Sequence, residues 1–238
     1  MKILFNYTYP VRCPVCGDIA VPAGKKVCDS CRTKPVRVLE PRCKKCSKPL
    51  ESEEQEYCFD CSQKDFYYER GLALWMYDAA MKKSIGWFKY SRRKEYASYY
   101  ADELAAHFQN EVRNMKPDVI MPIPIHISRL RQRGFNQAQL VAEELGARLN
   151  LPVVSDVLLR TEKTAPQKDL SSEERAENLR HAFTIHPQKI KMCNGYKRIL
   201  LLDDIYTTGS TINSCARILK SAGVEKVYFL TLCIGRGF

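Results

Sequence analysis

The sequence predicts an α/β protein: a parallel sheet with helices on both faces, preceded by a small metal-stabilised module. Three observations predict it. Eight of the 11 cysteines fall in Cys-x-x-Cys pairs ahead of residue 62. Beyond them, short apolar runs alternate with stretches of helical periodicity, the pattern of buried parallel strands joined through helices. One such run, Leu200-Leu201-Leu202, leads directly into two acids, a hydroxyl-rich turn and a helix. At 238 residues the chain accommodates one small module and one α/β domain, expected at 1–66 and 67–238.

The cysteines form a repeat. Cys13 and Cys16 are followed by Cys28 and Cys31, and the whole unit recurs 30 residues later as Cys43, Cys46, Cys58 and Cys61. Two residues between cysteines make a tight knuckle that aims both sulfurs at one metal. Four thiolates close a tetrahedron around Zn²⁺ and leave no open position, so two structural zinc ions are expected. The segments between knuckles are too short and polar to fold alone, and the metal must supply the folding energy. Sequential pairing gives two stacked ribbons and suits the repeat; interleaved, cross-brace pairing stays open. Redox pairs or an iron–sulfur cluster suit four evenly spaced pairs less well.

No apolar run approaches the ~20 residues of a membrane span. The first residues, Met1 to Tyr7, lack a long apolar region with a cleavage site, so a cytoplasmic protein without a disulfide framework is expected. The formal net charge is +11; zinc thiolates would reduce it to roughly +7. The excess is densest between residues 71 and 135. Such a balance favours polyanions. Lysines and arginines sprinkled over the cysteine module, such as Lys25, Lys26 and Arg32, make nucleic-acid contact an expectation there.

In chain order, residues 72–77 read as a strand and 79–90 as a helix. A second helix over about 95–114 places Tyr96, Tyr99, Tyr100, Leu104 and Phe108 near helical spacing, a stripe that belongs in a core. Residues 118–123 form the next strand, ended by Pro122 and Pro124. Residues 136–149 read as a helix and Leu151 to Val154 as another short strand. Residues 160–182 are polar, with few apolar anchors. A buried strand over 198–202, a helix from Thr211 to Ala222 ended by Gly223, and a strand from Val227 to Ile234 complete the chain.

The chemistry concentrates where the 198–202 strand ends. Asp203 and Asp204 suit a sugar diol, since each carboxylate accepts hydroxyl hydrogen bonds. Thr207, Thr208, Gly209, Ser210 and Thr211 then form a turn whose backbone N–H groups can wrap a phosphate at a helix N-terminus. This segment resembles the phosphoribosyl pyrophosphate (PRPP) fingerprint of type I phosphoribosyltransferases. Further segments narrow the resemblance: Asp118 to Pro124, then Arg129, Arg131 and Arg133-Gly134-Phe135-Asn136-Gln137-Ala138, and downstream Arg160, Thr161, Gln167, Leu170, Arg175, Asn178 and Ala182-Phe183. With the cysteine module in front, the chain resembles the ComF family over nearly its full length.

The resemblance implies a double zinc ribbon joined to a type I phosphoribosyltransferase-like domain, linked to natural competence and DNA uptake. It implies that Asp203 and Asp204 act in catalysis and that Arg133, Gly134 and Asn136 contact pyrophosphate. Capping of the following helix is the competing reading for Arg133 and Asn136. It implies a hood over about 160–180 from which Arg160, Lys163 and Lys168 reach pyrophosphate, with Mg²⁺ accompanying PRPP. Single-stranded DNA and competence proteins such as a DNA-translocating helicase are the implied partners. Two functions stay open: phosphoribosyl transfer to an unidentified acceptor with release of pyrophosphate, or a non-catalytic competence factor whose pocket senses PRPP or a 5′-phosphate.

Overall fold

The computed structural model describes residues 10–161 and 182–235. Its centre is a four-stranded sheet built from β1 (Arg70–Met76), β2 (Val119–Pro122), β5 (Arg198–Tyr206) and β6 (Lys226–Ile234), in the order β1-β6-β5-β2. Every neighbouring pair is parallel. A short antiparallel pair, β3 (Leu158–Arg160) and β4 (Phe183–Ile185), stands apart from it.

Alternation along the strands sorts side chains between two cores. Leu72, Leu74, Ile120, Leu200, Leu202, Leu230 and Leu232 face helices α1 (Ala79–Tyr90), α2 (Tyr96–Met115) and α4 (Gln137–Leu149). Ala73, Val119, Met121, Ile199, Leu201, Val227 and Phe229 face α5 (Ser210–Ser221) and the β3–β4 pair. Helices thus cover both faces, as parallel strands require. The tyrosines of α2 are core: Tyr96, Tyr99 and Tyr100 are buried, with Trp75 stacked on Tyr99 at 6.0 Å between centroids. Lys116 ends α2 in the left-handed conformation just before Pro117, a combination that stops a helix.

The cysteine module packs on the sheet rather than beside it. Cys13, Cys28 and Cys31 join the first core, whereas Cys43 and Cys46 join the second, so the ribbons lie on opposite faces. The chain between them crosses the β1 edge. Val38 N–H donates to Leu74 (3.0 Å) and Met76 N–H to Val36 (2.7 Å), an antiparallel bridge that covers an otherwise open edge. On the second face, Tyr68 packs edge-on to Phe229 at 4.9 Å and shares a 2.7 Å hydrogen bond with the Tyr206 hydroxyl. Phe229 stacks flat on Tyr206 at 4.9 Å. The close approach depends on Gly71, where a methyl group would stand 1.9 Å from the Phe229 ring. Gly71→Ala is therefore expected to cost at least about 1–3 kcal/mol by overpacking. The measurement is the urea midpoint, and an unchanged midpoint would remove this contact from the account.

Three elements differ from the expectations of sequence. Between the strand ended by Pro124 and the helix expected from 136, an additional helix, α3 (Ile127–Arg133), forms, which Gly134 terminates at φ +80. Its apolar residues Ile127 and Leu130 are exposed, so no buried stripe announced it. Leu151 to Val154 contributes only a single parallel bridge, Ile120 to Val153, because Pro152 has no N–H for a longer ladder. The strand expected at 198–202 continues to Tyr206, with Asp203 opposite Thr231 and Tyr206 opposite Ile234. Lys163 and Lys168, and most of the expected hood, lie outside the described residues.

Candidate functional site

The two cysteine groups are sequential. Cys13, Cys16, Cys28 and Cys31 bring their sulfurs within 4.8 Å of one another, as do Cys43, Cys46, Cys58 and Cys61. Tetrahedral thiolate ligands ~2.3 Å from zinc stand about 3.8 Å apart. The Cys16–Cys28 and Cys46–Cys58 sulfurs, at 3.9 and 3.6 Å, fit that spacing. The repeat extends to the backbone. Cys13 N–H donates to Asp18 at 2.7 Å and Cys43 N–H to Lys48 at 2.7 Å. Gly17 N–H to Cys13 and Ser47 N–H to Cys43 are both 2.9 Å. Gly17 and Ser47 occupy the same left-handed corner, at φ 83 and 67. Ser47 tolerates it while its hydroxyl donates to the Gly71 carbonyl at 2.9 Å, tying the knuckle to β1. Both sites are closed and fit structural zinc.

A cleft of about 510 Å³ opens at the carboxyl ends of β2 and β5. Asp203, Asp204, Thr207 and Thr211 line it together with Arg129, Arg133, Asn136 and Arg160. Strand alternation sends the two acids apart. Asp204 follows the parity of Leu202 and meets Lys89 of α1 at 2.5 Å, with both side chains mostly buried. Burial opposes the Lys89 charge, but Asp204 outweighs it and raises the lysine above its ordinary range. Asp203 follows Leu201 to the other face. Burial and repulsion from Asp204 push it up to about 7, against the weaker pull of Lys89 and Arg160. Two adjacent aspartates therefore differ in kind: one locked in an ion pair, the other able to exchange a proton near neutral pH.

Arg133 is buried, with 9% of its surface exposed. It donates to Gln137 Oε1 at 2.9 Å and to the Tyr90 hydroxyl at 3.2 Å, both neutral. Among the described residues no carboxylate pairs with it, and its Nε is buried without a partner. A buried guanidinium without an acid keeps unspent capacity to pair with an anion. Asn136 does cap α4: its Oδ1 accepts from Ala138 N–H at 3.1 Å while its Nδ2 donates to the Ile123 carbonyl at 2.9 Å. Asn136 thus spends its amide on structure, whereas Arg133 does not cap the helix. Gly134 closes α3 and stands outside the cleft lining.

Of the turn after β5, Thr207 and Thr211 line the cleft, whereas Thr208, Gly209 and Ser210 stand outside its lining. Gly209 has φ +78, and a side-chain carbon there would meet the Tyr206 hydroxyl at 2.4 Å, so glycine is required twice over. Thr208 and Ser210 share a 2.8 Å hydroxyl contact that holds the turn. Gly209 begins α5 without a side-chain cap, leaving the first N–H groups of that helix available. Sequence reasoning missed Lys89, Tyr77 and Tyr90, which also line the cleft. A lysine in the last turn of a helix ordinarily complements the helix dipole, which hid Lys89.

Two family matches cover this architecture. The family described as double zinc ribbon domain matches residues 4–62, and the phosphoribosyl transferase domain family matches residues 96–237. The chain belongs to the phosphoribosyl transferase domain family. With the zinc ribbons in front, it has the ComF organisation that the sequence implied. It is similar over most of its length to curated relatives. It is 29% identical over 236 residues to Competence protein F of Haemophilus influenzae, covering 95% of this chain and 96% of that one. It is 28% identical over 229 residues to the DNA utilization protein YhgH of Escherichia coli K12, covering 95% and 98%. It is 29% identical over 205 residues to Competence protein ComFC of Bacillus subtilis, covering 84% and 80%. No helix among the described residues of this ComF-type chain is long and apolar enough to cross a membrane.

Proposed function

We propose that the cleft binds PRPP and that the protein transfers its phosphoribosyl group to an acceptor, releasing pyrophosphate, in the service of competence and DNA uptake in the cytoplasm. The observation that carries this reading is the buried Arg133, without a carboxylate partner among the described residues, in the same cleft as the acids of β5. The 5-phosphate sits against the Thr207–Thr211 turn and the open N-terminus of α5. Asp203 accepts a ribose hydroxyl, and Asp204, braced by Lys89, accepts the other. Arg133, with Arg129 and Arg160 in the same cleft, takes the pyrophosphate. Asp203, once ionised, and the phosphate oxygens would hold Mg²⁺, which would supply charge neutralisation to the pyrophosphate. As the bond at ribose C1 breaks, the carboxylates face the developing positive charge.

Calorimetric titration with Mg²⁺–PRPP tests the pocket. Arg133→Met is expected to weaken binding by about tenfold or more, the scale of one charged hydrogen bond. Because Arg133 has no acid partner among the described residues, the same change strands no buried carboxylate, and the stability loss should be limited to the buried Gln137 Oε1 it leaves unpaired, about 1–3 kcal/mol. Equal affinity in wild type and Arg133→Met would remove the pyrophosphate assignment.

A second reading is favoured by the relatives, which are competence and DNA utilization proteins. In it the pocket senses PRPP or a 5′-phosphate without turnover, while the ribbons hold single-stranded DNA or a competence partner such as a DNA-translocating helicase. DNA affinity should then fall steeply with salt, and PRPP should bind without pyrophosphate release.

A further inference from the structure

We infer that Tyr68 is a positioning residue for the phosphate end of the cleft, setting the Thr207–Thr211 turn through the hydroxyl of Tyr206. The inference rests on the phosphoribosyl reading above. Neither tyrosine lines the cleft. Both are buried, and burial raises both hydroxyls above their ordinary range, so each stays protonated. A buried phenol needs a partner, and each is the other's, at 2.7 Å. The flat stack on Phe229 at 4.9 Å fixes the Tyr206 ring. Its hydroxyl is therefore held against Gly209, where a side-chain carbon would come within 2.4 Å of it. Gly209, at φ +78, is the residue from which α5 departs, so the place of that hydroxyl sets where the first N–H groups of the helix point.

The neighbours of Tyr68 grip the same helix. Tyr67 N–H donates to Asn213 Oδ1 at 2.7 Å in the first turn of α5, and Lys220 in its last turn donates to Glu69 at 2.8 Å. Asn213 N–H donates in turn to the Gly209 carbonyl at 2.8 Å. Tyr67, Tyr68 and Glu69 thus hold the turn and both ends of α5. These residues also adjoin the second cysteine group. Cys43 and Cys46 share one core with Tyr68 and Tyr206, and Lys45 Nζ lies 5.6 Å from the Tyr68 ring centroid. The phosphate cradle belongs to the α/β domain, but the segment that leaves the zinc module sets it in place. A plain core anchor would need the Tyr68 ring and not its hydroxyl, so removing the hydroxyl alone separates the two roles.

Calorimetric titration of the full chain with ribose 5-phosphate and, separately, with inorganic pyrophosphate tests this. Tyr68→Phe keeps the ring in the core. It should weaken ribose 5-phosphate about threefold to tenfold, the scale of one neutral hydrogen bond, and leave pyrophosphate, which the reading assigns to Arg133, unchanged. Tyr206→Phe should show the same selective loss. Because Tyr68 acts through Tyr206, the two changes together should cost no more than Tyr206→Phe alone. Unchanged ribose 5-phosphate affinity in either variant, an equal loss for both ligands, or losses that add in the double variant overturns the inference and leaves the phosphoribosyl reading standing. Failure of wild type to bind either ligand overturns the phosphoribosyl reading and this inference with it.

Discussion

Cys46→Ser should leave the protein with about one zinc equivalent in place of two and lower its melting temperature well beyond the effect of a surface change. Cys46 is fully buried, and its sulfur completes the second tetrad. A structural zinc site carries an apparent ~10–16 kcal/mol in isolated peptides, so losing one of four thiolates is a large perturbation even after partial relaxation. The damage should not stay in the ribbon. Lys45 accepts from Gly71 N–H at 2.8 Å and Ser47 donates to the Gly71 carbonyl at 2.9 Å, so the knuckle is joined to β1. Tyr68 then carries the contact to Phe229 and Tyr206 in the sheet. Metal analysis by mass spectrometry and a thermal melt followed at both aromatic and far-ultraviolet wavelengths check this. Retention of two zinc equivalents would contradict the ligand set. Loss of one with an unchanged melt would mean that the ribbon and the sheet unfold independently.

The second large effect separates the two aspartates. Asp204→Ala removes the partner of the buried Lys89 ammonium, and stranding one member of a buried pair costs about 3–5 kcal/mol. Adding Lys89→Met to Asp204→Ala should recover much of that loss. Asp203→Asn should do the opposite. With Asp203 near pH 7 in the fold, the native protein keeps that proton from about pH 4 to about 7, where the unfolded chain has already released it. The unfolded state therefore binds fewer protons in this window, and stability falls as pH rises through it. Asparagine removes that slope, so at pH 8 Asp203→Asn should be the more stable protein, on the order of 2 kcal/mol. On the proposed function it should also lose PRPP affinity. Chemical denaturation at pH 5 and pH 8 decides the matter: a variant no more stable than wild type at pH 8 would mean that Asp203 is ionised there without penalty. The double alanine variant at 203 and 204, expected to abolish PRPP binding, is a poorer test because it also unpairs Lys89.

Much of this was legible in the chain. The spacing of eight cysteines determined two closed four-thiolate sites, because a knuckle is a local structure and its ligands lie close in sequence. Apolar runs such as Leu200 to Leu202 determined buried strands, and the turn from Thr207 to Thr211 announced a strand-to-helix cradle for the same local reason. The short pieces were not legible: β3, β4 and α3 are too brief for periodicity to accumulate, and α3 exposes the apolar residues that would have marked it.

Only the tertiary structure decided the rest. Which cysteines share a metal, and that the two ribbons grip opposite faces of one sheet, depends on packing between residues far apart in the chain. The different fates of Asp203 and Asp204 also came from the fold. In sequence they are identical neighbours; in a strand buried on both sides, adjacent positions face different cores, and Lys89, more than a hundred residues away, forms its ion pair with only one of them. Local chemistry wrote the residue types and their spacing, but charge acts through space, so the sheet determines which acid is paired and which is left to titrate.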